Sequence, residues 1–437
     1  MRKFLKRSLL SAFLAAGMGS SQAQQVQHVV LVTVDGFRPD FYRDPSWNAV
    51  HIRELMKGGV SADGVNSVFP SMTYPSHTTI VTGVQPEQHG IYYNNMFEPN
   101  GPTGKMYWNA GSIKVPTLWG VAQEKGLKVA ALFWPVSAEA PVRYDIPDIG
   151  SMGEAVREKY SKPAGIVDEL RKQLFNGDSI NYGRDVNVGR IAAYVIKKDQ
   201  PNLMTIHLFS VDHYEHMQGR DGDKVRAAVA GADSAIGIMM DALKEAGIWD
   251  KTVFIVTGDH GFNNVKTSVN PNIWLIRAGL ITDVKKDEWK AQFFSVGGST
   301  YLYLKDPNDE PTLKKVRELL EGLPPEVKAF FRVIDRAQLR AIGGNPEVAF
   351  ALSAENGASF GNAMTGEAVK EGHGGTHGYF PDFREIRTGF VAFGPGIRQG
   401  GEIPLMNLRD IAPAVARLLG LSFPSAVGKI PGELLAK

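Results

Sequence analysis

The 437-residue chain contains no cysteine. That excludes disulfides and any thiolate metal site, so a metal could be held only by His, Asp, Glu or hydroxyl oxygen. Excess charge of one sign is missing too. Residues 1–23 carry Arg2, Lys3, Lys6 and Arg7 and no acid, and removing these four positive side chains takes the formal charge from +2 to −2. A chain so close to neutral is not expected to bind a nucleic-acid duplex by bulk charge. Long apolar runs are also absent: beyond the N-terminus no stretch is long enough to span a bilayer. The start itself pairs a basic segment with the short apolar run Leu9–Met18 and the small-residue site Ser21-Gln22-Ala23. It reads as a signal peptide, residues 1–23, cleaved near Ala23. An exported chain without cysteine suits a periplasm or a secreted fraction.

What is present is an alternation of buried strands and helices. His28–Val34 (HVVLVTV), Val129–Trp134, Asn202–Val211 and Thr252–Thr257 are continuous apolar runs, as in strands covered on both faces of a parallel sheet. Between them Asn48–Lys57, Lys114–Lys125, Gly165–Phe175, Asp185–Lys198 and Asp223–Ala246 read as helices, several stopped by glycine. Tyr144–Lys162, rich in Pro, Gly and charge, is expected to run over the surface. The fold class is therefore α/β, with a mostly parallel sheet flanked by helices. Residues 24–266 and 362–437 read as two parts of one catalytic core. Residues 267–361 read as a small inserted α+β subdomain, with strands at Ser299–Leu304 and Ala349–Ala354 and a helix at Glu310–Leu323. Strand Thr388–Phe393 and helix Leu408–Leu419 complete the core.

The chemistry-bearing residues follow these strands. Asp35 ends the first. The third delivers Asp212-His213-Tyr214-Glu215-His216, and a helical turn there puts Asp212 and His216 on one face, with His213 and Glu215 pointing away. The fourth delivers Asp259-His260 between two glycines that let backbone approach a ligand closely. His373 and His377 sit in a glycine-rich loop. The carboxyl ends of parallel strands lie along one edge, where such sheets place ligands. Thr73 stands in Phe69-Pro70-Ser71-Met72-Thr73-Tyr74-Pro75-Ser76-His77, a proline-bracketed turn ahead of a helix expected over Thr78–Val84. Taken alone, Thr73 would cap that helix. Set beside these ligands, its hydroxyl is a candidate nucleophile. Oxygen and imidazole donors fit two Zn²⁺ ions, with Mn²⁺ or Fe²⁺ poorer alternatives. Two ions about 4 Å apart can clamp a phosphoryl group, and coordination lowers the pKa of a hydroxyl.

VTVDGFRPD (Val32–Asp40), FPSMTYPSHTTIVTGVQPEQHGIYYNN (Phe69–Asn95), VDHYEH (Val211–His216), TGDHG (Thr257–Gly261) and GTHGY (Gly375–Tyr379) occur in this order. The set resembles the nucleotide pyrophosphatase/phosphodiesterase family of the alkaline phosphatase superfamily. The resemblance implies an alkaline-phosphatase-like core. It implies one metal site on Asp35, Thr73, Asp259 and His260 and another on Asp212, His216 and His377, with His377 rather than His373 selected by the H-G-Y segment. It also implies a phosphate contact from Asn94, a base-stacking role for Tyr74, and hydrolysis of a small-molecule diester, such as a nucleotide, through a phospho-threonine. Ser71-Met72 and Ser76 depart from the family's usual Thr-Lys and Asn. The second aromatic wall has no matching motif after Trp134-Pro135, and Tyr144 and Tyr160 are its candidates. Three alternatives remain: a phosphomonoesterase, a phosphonate hydrolase, and a non-catalytic phosphate- or metal-binding protein. The oligomeric state is open.

Overall fold

The run HVVLVTV cannot sit at a surface: all seven residues are buried, and alternate side chains feed two different cores. Val30, Val32 and Val34 pack on one face, while Val29 and Leu31 pack on the other. This strand is the centre of the fold. The computed structural model describes residues 26–149 and 152–436. The segment read as a signal peptide lies outside them.

In chain order the elements used below begin with β1 (His28–Val34), β2 (Val60–Ala62), α1 (Thr73–Thr82), β3 (Val129–Leu132) and β4 (Tyr144–Ile146). Next come α2 (Asp185–Asp199), β5 (Leu203–Leu208), α3 (Ser210–Gln218), α4 (Asp223–Glu245) and β6 (Thr252–Thr257). β7 (Ala291–Ser295), β8 (Ser299–Leu304), α5 (Glu310–Glu321), β9 (Phe331–Ile334) and β10 (Phe350–Ala354) follow. The chain ends with β11 (Phe390–Phe393), β12 (Gly401–Ile403) and α6 (Ile411–Leu418).

The main sheet has eight strands in the order β12-β2-β11-β6-β1-β5-β3-β4. Only β11 runs against its neighbours, pairing antiparallel with both β6 and β2. Val188, Ile191 and Val195 of α2 and Val229, Ala232 and Ile236 of α4 cover one face. Ile80 and Val81 of α1 and Ile411 and Val415 of α6 cover the other. This is the alkaline-phosphatase-like α/β architecture. Residues of the 267–361 segment form a separate four-stranded antiparallel sheet, order β7-β8-β10-β9, with its own apolar cluster around Phe293, Leu302, Val316 and Phe350.

Two sequence expectations are corrected. The stretch Tyr144–Lys162 does not simply run over the surface. Tyr144–Ile146 is the edge strand β4, buried throughout and parallel to β3, and Glu154–Tyr160 is a helix. Its composition over nineteen positions hid a three-residue strand, in which Asp145 is fully buried and accepts a hydrogen bond from the Ser137 hydroxyl at 2.9 Å. The helix expected from Thr78 begins at Thr73, because Pro75 falls in its first turn, where a missing N–H leaves no bond unmade. The residue before it, Met72, is the cap, and Thr73 does not cap the helix.

Candidate active site: two ligand groups beside a helix start

β1 lies between β5 and β6, parallel to both, with Thr33 opposite His207 on one side and Thr257 on the other. The three strands therefore end at one edge. Asp35 leaves β1 there, α3 with Asp212 and His216 follows β5, and Asp259 and His260 follow β6. Gly258 is needed: a Cβ there would lie 2.1 Å from the Thr388 hydroxyl.

The predicted ligands gather in two groups. In the first, His260 Nε2 lies 3.3 Å from Asp35 Oδ1 and 3.1 Å from Asp259 Oδ2. In the second, Asp212 Oδ1 lies 3.4 Å from both His216 Nε2 and His377 Nε2. The two groups abut, since the His260 and His377 rings stack at 3.7 Å. The donor atoms that lie within 4.8 Å of one another here are those of Asp212, His260 and His377, and His216 joins them through Asp212 Oδ1. His373, by contrast, is exposed on the loop.

Each ligand imidazole has its Nδ1 at a carbonyl: His216 at Gly375 O (3.0 Å), His260 at Gly261 O (3.2 Å) and His377 at Ser71 O (3.0 Å). An Nδ1–H donated to a carbonyl leaves Nε2 as a bare lone pair, the form a metal takes. Four of the inward-facing atoms, Asp35 Oδ1, Asp212 Oδ1, Asp259 Oδ2 and His260 Nε2, are buried without a hydrogen-bond partner. Buried acceptors are rarely left so, and divalent cations would satisfy all four. The donor set therefore fits the two ions.

Electrostatics agree. Burial pushes Asp35 and Asp259 well above the ordinary carboxylate range, and neighbouring carboxylates add to it. Burial pushes Asp212 up as well, but His216 and His377 outweigh it and hold the group below its usual value. Burial drives His260 well down and His377 to about 4, so both imidazoles are neutral. Asp212 raises His216 against the effect of burial, whereas the crowded Asp35 and Asp259 beside neutral His260 and His377 gain from added positive charge.

Thr73 is the first residue of α1, and its turn is tied to the His377 loop. Ser71 O also accepts from Gly378 N at 2.9 Å, and Ser71 Oγ donates to Tyr379 O at 3.0 Å. No hydrogen bond to the Thr73 hydroxyl is found among the described residues. Asn94 Oδ1 accepts from Tyr74 N at 2.9 Å, which leaves its Nδ2 donors free of that bond, and Asn94 lines the same cavity as His216 and His377. Tyr74 is nearly buried, and its hydroxyl donates at 3.2 Å to Asp148 O and Oδ2. It lines a second, smaller cavity with Met106, Trp108 and Asp148. The aromatic sharing that cavity is Trp108. Tyr160 only backs Trp108, with ring centroids 4.8 Å apart, and Tyr144 is locked into β4.

Sequence reasoning missed the supports. His207 of β5 reaches Asp35 Oδ2 with Nε2 at 3.1 Å and Phe133 O with Nδ1 at 3.1 Å. A histidine inside an apolar strand was the signal, because a buried ring must find polar partners. His77, four residues after Thr73 on α1, holds Thr73 O at 2.8 Å and lies 3.6 Å from Asp259 Oδ2. Glu215 is fully buried, with Oε1 3.2 Å from Arg38 Nη1. That pair ties α3 to the turn after β1, and so one ligand group to the other.

The model of the type I phosphodiesterase / nucleotide pyrophosphatase family matches residues 29–380. The chain belongs to this family. It is 23% identical over 412 residues to ectonucleotide pyrophosphatase/phosphodiesterase family member 7 of Rattus norvegicus, covering 92% of this chain and 85% of that one. It is 24% identical over 438 residues to a bis(5'-adenosyl)-triphosphatase of Bos taurus, covering 96% and 84%. Among solved structures, murine ectonucleotide pyrophosphatase/phosphodiesterase 5 matches with TM-score 0.69 and 24% identity over 93% of this chain and 100% of that chain. An inactive variant of that protein in complex with AMP matches with TM-score 0.68 and 23% identity, at the same coverage. As a member of the phosphodiesterase family the chain is a hydrolase of phosphate diesters.

Proposed function

We propose that this hydrolase is a zinc enzyme that cleaves small-molecule diesters such as nucleotides, with Thr73 as nucleophile and Asp35, Asp259, His260, Asp212, His216 and His377 as ligands of two ions. One observation carries the reading: four buried polar atoms without partners converge from three strand-end segments beside the start of α1. The bound ions would supply positive charge that lowers the hydroxyl pKa and neutralises the non-bridging phosphate oxygens. Thr73, grouped with Asp35, Asp259 and His260, attacks phosphorus in line, and the phosphoryl group passes to its Oγ. The leaving oxygen departs on the side of Asp212, His216 and His377. Asn94 Nδ2, fixed by the bond between its own Oδ1 and Tyr74 N, donates to a phosphate oxygen as charge grows. Water then releases the phosphoryl group from Thr73. Tyr74 and Trp108 line the place for a flat substituent such as a base. Export through residues 1–23 belongs to the same reading.

Turnover of bis-p-nitrophenyl phosphate, p-nitrophenyl phosphate and the p-nitrophenyl ester of thymidine 5'-monophosphate tests the proposal, each with and without chelator. The diesters should exceed the monoester, and chelation should abolish both. A faster monoester, or turnover untouched by chelator, contradicts it.

A further inference from the structure

A cavity of about 370 Å³ opens beside His216 and His377. Met72, Asn94, Asn95, Met96 and Glu98 line one side, from the turn before Thr73 and the loop after Tyr93. Phe294–Gly297 and Asn362 line the other, and the first of these belong to the four-stranded sheet and the turn after β7. This wall is built in advance. Asn362 accepts from Ser295 N and donates to Ser295 O, both at 2.8 Å, and Phe294 packs edge-on against Tyr93 at 5.0 Å.

The lining is apolar or neutral, apart from His216, His377 and one carboxylate. Among the described residues no lysine or arginine lines it. Glu98 is the carboxylate. It accepts from Thr103 N at 2.6 Å and from the Thr103 hydroxyl, and these bonds hold it below its usual pKa, so it is ionised at neutral pH.

We propose that this cavity receives the leaving group, and that its lining selects an uncharged alcohol over a phosphate or pyrophosphate. The inference rests on the two-ion reading above, which places departure on the His216–His377 side. In either reaction the Thr73 Oγ–P bond forms and the bond from phosphorus to the leaving oxygen breaks. The electron pair stays on that oxygen, the Thr73 proton passes to solvent, and water later restores the threonine. The reactions differ in what enters the cavity. An ester releases an alcohol oxygen with one developing charge. A phosphoanhydride releases a group of several negative charges, which meets Glu98 and, among the described lining residues, no lysine or arginine. The chain is thus built for esters more than anhydrides.

The test compares the thymidine 5'-monophosphate p-nitrophenyl ester with thymidine 5'-triphosphate on the holoenzyme. Both transfer the same nucleoside phosphoryl group to Thr73. The ester should be favoured at least hundredfold in kcat/KM. Because p-nitrophenolate is the better intrinsic leaving group, the deciding quantity is the shift in that ratio when charge is added. Asn95→Lys should raise the triphosphate-to-ester ratio about tenfold, and Glu98→Gln, which keeps an acceptor for Thr103, about threefold. A wild-type enzyme that takes the triphosphate as well as the ester overturns the inference, as does a ratio unmoved in both variants. Turnover of neither substrate contradicts the parent reading first and removes this one with it.

Discussion

The two ligand groups carry similar donors on very different supports. Asp35, Asp259 and His260 leave adjacent parallel strands and are almost completely buried, at 4%, 0% and 0% exposure. Asp212, His216 and His377 stand on a nine-residue helix and a glycine loop, and the His216 side chain is 42% exposed. A strand end held by ladders on both sides fixes its donors in the sheet's own frame. A short helix and a loop fix theirs only through contacts such as Arg38–Glu215 and Ser71–His377. On the proposed two-ion reading, the strand-end group should therefore hold its ion tightly beside Thr73. The helix-and-loop group should bind more weakly and stay open to substrate and water.

Substitutions can break this contrast, the largest effect coming from the residue both groups serve. Thr73→Ala should lose about 10⁴-fold or more in kcat/KM with both ions retained by elemental analysis, since only the attacking oxygen is gone. A loss below tenfold would exclude the nucleophile role. Asp259→Asn should cost about 10³-fold and empty the strand-end site even in excess zinc. His216→Ala should cost about 10²-fold, and excess zinc should recover part of the activity. If zinc restores Asp259→Asn and not His216→Ala, the contrast is reversed.

Smaller effects sharpen it. His377→Ala should lower metal content, while His373→Ala, on the exposed side of the same loop, should leave it within experimental error. The opposite order would mean the loop is misread. Acid gives the gentlest probe. Ligand carboxylates must be ionised to bind, so protons compete with the ions and occupancy falls as pH falls. Burial holds Asp35 and Asp259 well above 3.8, the ordinary value for an aspartic acid. Metal release should therefore increase on stepwise acidification, and an occupancy that does not change with pH would contradict it.

Much of this was legible because strand and site share one signal. A β-branched run buried on both faces marks a parallel strand, and the residue after it falls at the ligand edge, so Asp35 and, more clearly, Asp259-His260 stood out as candidates. Helical spacing put Asp212 and His216 on one face, and it was the family resemblance that singled them out as ligands. The supports were not legible, because they depend on contacts distant in sequence. His207 lies 172 positions from Asp35, and Glu215 only becomes a buried partner once Arg38 reaches it. The Tyr144–Ile146 strand was lost because three residues between Arg143 and Pro147 carry too little periodicity to stand out from a polar stretch. Trp108 was missed because it reaches the Tyr74 cavity from a loop with no motif of its own.

Anomalous diffraction at the zinc edge, on crystals grown with zinc and without chelator, tests the central claim most directly. The account predicts two peaks about 4 Å apart. One should lie within bonding distance of Asp35, Asp259, His260 and the Thr73 hydroxyl, the other within bonding distance of Asp212, His216 and His377. A single peak midway among Asp212, His260 and His377, or none at all, would contradict it.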